Sequence, residues 1–256
     1  VEPFGIDESW LDVTGSRQLF GEGPEIADQL RRRVREEVGL TISVGVSFNK
    51  VFAKLGSDYR KPDATTVITR ENFRQIVHPL PVSALLYVGR SARQTLESLG
   101  IHTIGQLAEA APSALTPRMG KLGPQLIAYA RGEEDSPVRY VWEEQEVKSV
   151  GNSITFPRNL TTREEVNAGI TALADEVAGR LRKHGLQCAT VQIQIKDHQF
   201  RVISRQKALE RPTDLEREIR KAALELVWNN WTPGAPIRML AVTGAALTSG
   251  GGEGMQ

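Results

Sequence analysis

With 256 residues, 40% of them hydrophobic and 25% charged, and a formal net charge of +1, the chain has room for one large domain or two to three small ones. No apolar run reaches the roughly 18 residues that span a bilayer, and no charged and apolar leader opens the chain, so no membrane partner is expected. Cys188 is the lone cysteine; it can form no internal disulfide and fits a reducing cytoplasm.

The near-neutral balance demands no polyanionic partner, but its distribution is uneven. Acids outnumber bases over residues 1–71, and bases outnumber acids over 137–247. A metal and polyanion site followed by a backbone-gripping module would have this pattern.

Residues 1–15 hold the densest chemistry. Asp7 and Glu8 are adjacent carboxylates among Phe4, Ile6, Trp10, Leu11 and Val13, an apolar set that reads as strand. Neighbours in an ideal strand point to opposite faces, so both acids serve one site only if the chain bends, and Gly5 would ease a bend. Paired carboxylates suit Mg²⁺ completed by water and phosphate oxygens. An exposed acidic pair beside a hairpin turn is the plainer alternative.

Gly23-Pro24 opens a helix whose stripe is Ile26, Leu30, Val34 and Val38, with Gly39 as its C-cap and Arg31, Arg32, Arg33 and Arg35 around the solvated faces. The alternation over 41–47 predicts a strand, Asn49 caps a helix over 50–59, and 65–68 is a short strand. Lys61, on the loop after that helix, could reach a phosphate or stay solvated. Residues 1–70 thus form a small α+β unit with helices on one face of a sheet.

Over 71–136 the pattern changes to short helices punctuated by Gly and Pro. A helix over 91–99, a Tyr87-Val88-Gly89-Arg90 turn before it and a helix over 103–110 make a helix-hairpin-helix, which can offer backbone N–H groups to a phosphate. Residues 137–145 are acidic, contain proline and read as a linker. Beyond them come a strand (147–156), a long helix (162–184), strands (189–196 and 200–209), a helix (214–228) and a strand (237–247), a βαββαβ domain over 146–248. Val191, Ile193 and Ile195 face one way; Gln192, Gln194 and Lys196 face the other, leaving one wet face. Residues 249–256 are a glycine-rich tail. His78, His102, His184 and His198 show no metal-ligand spacing.

The order of parts resembles a known family. Gly5-Ile6-Asp7-Glu8-Ser9-Trp10-Leu11-Asp12 resembles the Ser-Ile-Asp-Glu-Ala-aromatic-Leu-Asp signature of the Y-family, or translesion, DNA polymerases. Ser43 to Lys54, continued to Lys61-Pro62, is similar to that family's next motif. Tyr87-Val88-Gly89 is similar to its thumb hairpin, and Lys148-Ser149-Val150-Gly151, Phe200 to Arg205 and Pro236-Ile237-Arg238 to its little-finger domain. The resemblance spans residues 1–247 and is strongest to the bacterial DNA polymerase IV branch.

It implies an α+β multidomain fold: a partial palm (1–70), a helix-hairpin-helix thumb (71–136), a linker (137–145) and a βαββαβ little finger (146–248). It implies that Asp7 and Glu8 are catalytic metal ligands for two Mg²⁺ ions, that Lys61 binds the triphosphate, and that Gly89, Arg90, Lys148, Ser149, Ser204 and Arg205 touch DNA phosphates. The implied partners are primer–template DNA and deoxynucleoside triphosphates in a bacterial cytoplasm, at the nucleoid. No glutamine–hydrophobic–aromatic peptide of the clamp-binding kind ends the chain, so a sliding clamp is a candidate partner without assigned residues.

Departures from the pattern accompany the likeness. The family's third carboxylate, its fingers and its ribonucleotide-excluding aromatic residue belong upstream of Val1, so the chain reads as a fragment that binds DNA but is catalytically incomplete. Gly5 stands where serine is usual, and Tyr87 replaces the first glycine of the thumb hairpin. A non-catalytic DNA-binding relative is the alternative, and retention of both acids argues against it. A nucleotidyl cyclase would share the paired acids but has no use for the thumb or the βαββαβ module.

Overall fold

The computed structural model describes residues 1–143 and 146–249. The last two linker positions, 144 and 145, and the tail over 250–256 lie outside the described residues. The chain divides into two units, Val1–Glu144 and Gln145–Gln256.

In the first unit, β1 (Glu2–Pro3) and β2 (Ser9–Trp10) form an antiparallel pair with Glu2 opposite Trp10. The strand expected through Phe4 to Val13 is therefore interrupted: Gly5, at φ 80°, turns the chain, and the Phe4 N–H closes the turn on the Glu8 carbonyl at 2.8 Å. A short helix, α1 (Arg17–Phe20), precedes α2 (Gly23–Val38), which ends on left-handed Gly39 at φ 73°. Next come β3 (Val44–Ser47), α3 (Lys50–Tyr59) and β4 (Thr65–Ile68). Because α3 carries the chain back to the same end, β3 and β4 pair parallel, Val44 beside Thr65 and Ser47 beside Ile68. Among the described residues the first unit thus holds two separate two-stranded sheets, an antiparallel hairpin and a parallel pair.

Gly45 and Gly56 let α3 lie directly on this pair. A Cβ at Gly45 would stand 1.9 Å from the Ala53 carbonyl oxygen and 2.6 Å from the Ser57 nitrogen. The Asn49 carboxamide caps α3 by accepting from the Phe52 N–H at 2.8 Å. Helix α2 buries only Ile26 and Ala27, and its stripe runs out to an exposed Val38. Its 16 residues extend about 24 Å, whereas four-residue strands cover only about 13 Å.

The helices that follow are α4 (Phe73–Val77), α5 (Arg90–Ser98), α6 (Ile104–Glu109), α7 (Pro112–Met119) and α8 (Leu122–Ala130). Between α4 and α5 the chain makes a single 3₁₀ turn, Val82–Ala84. One hydrophobic core runs from Phe52, Leu55 and Ile68 through Leu96, Ile104, Leu115 and Leu126, so residues on both sides of position 70 share it. Phe52 and Phe73 stack at 5.4 Å at the junction.

The second unit is a four-stranded antiparallel sheet in the order β5-β8-β6-β7 with two helices on one face: β5 (Ser149–Leu160), α9 (Arg163–Lys183), β6 (Leu186–Asp197), β7 (Val202–Thr213), α10 (Glu216–Trp228) and β8 (Ile237–Ser249). This is the βαββαβ order. A Thr162–Glu165 capping box starts α9, which buries Val166, Ile170, Leu173, Val177 and Leu181. Val191, Ile193 and Ile195 are buried beneath the helices, as the alternation requires, while Gln192, Gln194 and Lys196 lie on the open face.

Candidate active site and nucleic-acid interface

Helix α3 carries a cationic face. Lys50, Lys54 and Asp58 follow one another at i, i+4 and i+8, the spacing that stacks side chains along one side of a helix, and Lys61 lies on the loop just beyond its end. The β1–β2 hairpin lies along it. At the hairpin's base the Trp10 indole donates to the Lys50 carbonyl at 3.0 Å and stacks on Phe4 at 4.5 Å. The Lys50 ammonium meets Glu2 at 2.9 Å. Glu2 is 5% exposed and also accepts both the Arg139 backbone N–H and its guanidinium. Burial pushes its carboxyl up, but these donors outweigh burial and hold it down at about 2.

At the hairpin's tip Asp7 is exposed in the bend and Glu8 is half-buried. The Lys54 ammonium lies 3.0 Å from Glu8 Oε1 and 2.5 Å from Asp58 Oδ2, and the other Asp58 oxygen is 2.6 Å from Lys61 Nζ. Burial works against the Lys54 charge, yet hydrogen bonds to Asp58 and Glu8 keep its pKa above the ordinary value. Lys61 itself is exposed, and its loop is pinned beneath: Arg31 donates to Asp63 Oδ1 at 2.9 Å and to the Thr65 hydroxyl at 3.3 Å, and Arg35 pairs with the same aspartate. Arg31 is therefore a structural cation within an arginine cluster expected to be solvated. The tip thus gathers Glu8, Lys54, Asp58 and Lys61 into one ion chain next to Asp7. Lys54 and Asp58 were not singled out by sequence reading, although their i, i+4, i+7 spacing with Lys61 was the available signal.

Hard carboxylate oxygens at an open turn would suit Mg²⁺, and an exposed lysine such as Lys61, joined to Glu8 through Lys54 and Asp58, would suit the phosphates of a metal-bound triphosphate. Among the described residues no cluster of three or more acids, histidines or cysteines surrounds a single point. Asp7 and Glu8 by themselves would offer only a partial donor set, which phosphate oxygens and water would have to complete.

Gly89 and Arg90 open α5. Gly89 is extended at φ −75° and ψ −178°, and a Cβ there would meet nothing within 4 Å. The fold itself therefore has no steric need for glycine at Gly89; what its small size leaves open is the approach to the α5 N-terminus. Tyr87 adopts φ 68°, so the turn keeps the left-handed conformation that glycine would favour.

In the second unit the four expected phosphate contacts fall on opposite edges of the sheet. Lys148 and Ser149 are at the start of β5; Ser204 and Arg205 are on β7, three strand spacings or about 14 Å away. Ser204 pairs with Gln194 and shares its open face, where its hydroxyl accepts from Gln192 at 2.7 Å. Arg205 pairs with the buried Ile193, so its side chain leaves toward the helical side and donates to Asn230 Oδ1 at 3.0 Å. On the open face β5 presents Ser153 and Thr155, β8 presents Thr243, and β6 presents Gln192, Gln194 and Lys196.

Two family models match: that of the impB/mucB/samB family over residues 1–58, and that of the impB/mucB/samB family C-terminal domain over 147–256. DNA polymerase IV of Alkalilimnicola ehrlichii is 36% identical over 249 residues, 97% of this chain and 69% of its own. The chain belongs to the impB/mucB/samB family, the Y-family polymerases of the DNA polymerase IV type. Within this family, DNA polymerase IV of Acetivibrio thermocellus is 46% identical over 94% of this chain, and that of Moorella thermoacetica 40% over 96%. The chain spans about three-fifths of the length of these two relatives, 61% and 62%. A solved Y-family DNA polymerase chimera built from Dbh and Dpo4 superposes with a TM-score of 0.76 at 20% identity, covering 92% of this chain and 67% of its own, and shares the fold. Among the described residues no helix is long and apolar enough to cross a membrane.

Proposed function

We propose that the chain forms the partial palm, thumb and little finger of a translesion DNA polymerase, with residues 1–70, 71–136 and 146–248 in those roles. The observation that supports this reading is the ion chain at the hairpin tip, which links Glu8 through Lys54 and Asp58 to Lys61 in a member of this family. Asp7 and Glu8 hold Mg²⁺. The two ions, when bound, lower the charge cost of in-line attack by a primer hydroxyl on a triphosphate. Lys61 neutralises the triphosphate as a point charge. Gly89 and Arg90 offer the α5 N-terminus to a backbone phosphate, and Lys148, Ser149, Ser204 and Arg205 grip phosphates from the two edges of the second sheet. None of these groups reads a base edge, which suits a protein that must accept any template. The partners are primer–template DNA and deoxynucleoside triphosphates, at the nucleoid; no residue is assigned to a sliding clamp.

Fluorescence anisotropy with a labelled primer–template, with and without Mg²⁺ and a matching nucleotide, tests the reading. Binding should weaken steeply with salt, and Asp7→Ala should leave it unchanged while removing the added retention due to Mg²⁺ and nucleotide. Failure to bind primed DNA at low salt would overturn the assignment. Because two carboxylates form a partial donor set, primer extension by this chain should be slow, and robust incorporation would show that the pair suffices.

A further inference from the structure

We propose that Lys54 and Asp58 are positioning residues that keep Glu8 and Lys61 in internal ion pairs until metal and triphosphate displace them. This rests on the assignment of Glu8 to metal and Lys61 to triphosphate. Along Glu8–Lys54–Asp58–Lys61 the four groups alternate in sign, with side-chain exposures of 36%, 17%, 48% and 56%, so Lys54 is the most buried link. Asp58 uses a different oxygen for each lysine, so it is shared between them. The Lys54 ammonium occupies one Glu8 oxygen, where a divalent ion would otherwise bind. Lys61 must leave Asp58 before it can reach a phosphate.

A ligand that draws Lys61 away leaves Asp58 wholly to Lys54. Lys54 is then pulled from Glu8, and Glu8 is released to a cation. By linkage the reverse also holds, so each ligand eases the binding of the other through side chains alone. The relay needs no backbone movement, because Lys54 and Asp58 sit on adjacent turns of α3.

The test measures binding by the full 256-residue chain: Mn²⁺ from the free-ion paramagnetic resonance signal, and dATP by calorimetry with Mn²⁺ present. Removing a competing internal partner should tighten binding, by about two- to fivefold for half-exposed pairs. Lys54→Met should tighten Mn²⁺ binding, and the gain should vanish in a Glu8→Gln background. Asp58→Asn should tighten dATP binding, and that gain should vanish in a Lys61→Met background, which separates release of Lys61 from simple loss of a negative charge. Binding that is weakened or unchanged in both single variants, or gains that persist in both backgrounds, would overturn the relay. If Lys54→Met fails to fold by circular dichroism, the exposed Asp58–Lys61 pair decides alone. If Glu8→Gln leaves Mn²⁺ affinity unchanged, the metal assignment falls and the relay with it. If Glu8→Gln abolishes binding while the single variants show no gain, only the relay falls.

Discussion

Lys50 Nζ lies 2.9 Å from Glu2 Oε2, and the same carboxylate takes Arg139 through its side chain at 2.9 and 3.0 Å and through its backbone N–H at 3.0 Å. One buried acid therefore joins the first strand, the start of α3 and a segment more than 130 residues further along the chain. The hairpin that presents Asp7 and Glu8 is fixed at its base by this triad and at its tip by Lys54.

Glu2→Gln should destabilise the first unit by on the order of 2 kcal/mol, because it leaves the largely buried Lys50 and the half-exposed Arg139 under-compensated. The folded-state carboxyl is held at about 2 against an ordinary 4.5, so its contribution is complete above about pH 4.5 and is lost as pH falls from there toward 2. Hydrogen exchange at α3, followed from pH 6 to pH 2.5, should show the gap between wild type and Glu2→Gln closing over that window.

Gly45→Ala should be far more damaging than its size suggests. The new methyl would press on the Ala53 carbonyl and the Ser57 nitrogen, both backbone atoms of α3. Overpacking against atoms that cannot rotate away costs on the order of 3 kcal/mol. The variant should melt early or lose Mn²⁺ binding, since α3 carries Lys54 and Asp58; unchanged stability in a thermal melt would contradict the packing described.

Gly89→Ala should separate stability from binding. Its φ of −75° is open to any residue and nothing crowds the site, so the melting temperature should hold or rise slightly, a change within about 1 kcal/mol. Affinity for primer–template should fall about tenfold as the methyl blocks approach to the helix N-terminus, as read by anisotropy.

Lys148→Ala and Arg205→Ala should each lower the slope of log affinity against log salt by about one, and together by about two, because about 14 Å of sheet keeps the two positions independent. Asn230→Ala should give a milder loss, since it only frees the Arg205 guanidinium that Asn230 now orients. A salt slope untouched by Arg205→Ala would remove β7 from the DNA interface.

Much of the fold was legible where local signals act alone. Asn49 capping α3, the Thr162–Glu165 box before α9 and the alternation of Val191, Ile193 and Ile195 are all set by residues within a few positions of one another. What stayed hidden depends on distant partners. The parallel pairing of β3 with β4 follows from the length and direction of α3, and Arg205 turns away from Ser204 because β7 pairs in register with β6. The acids at the hairpin tip were readable as a motif, but their cations were not: Lys54 looks like an ordinary surface lysine until the hairpin is laid against α3.

Ties from Asn49 to Gly132, from Lys50 to Glu134 and Pro137, and from Glu2 to Arg139 fasten the stretch after α8 onto the first unit. Only the nine residues 140–148 then separate the last tie from the first residue of β5. Nine residues can span at most about 30 Å, about the diameter of a small domain. If both units grip DNA as proposed, this short connection makes rebinding of one a unimolecular event while the other holds, so cutting the chain within 140–148 should shorten the lifetime of the complex.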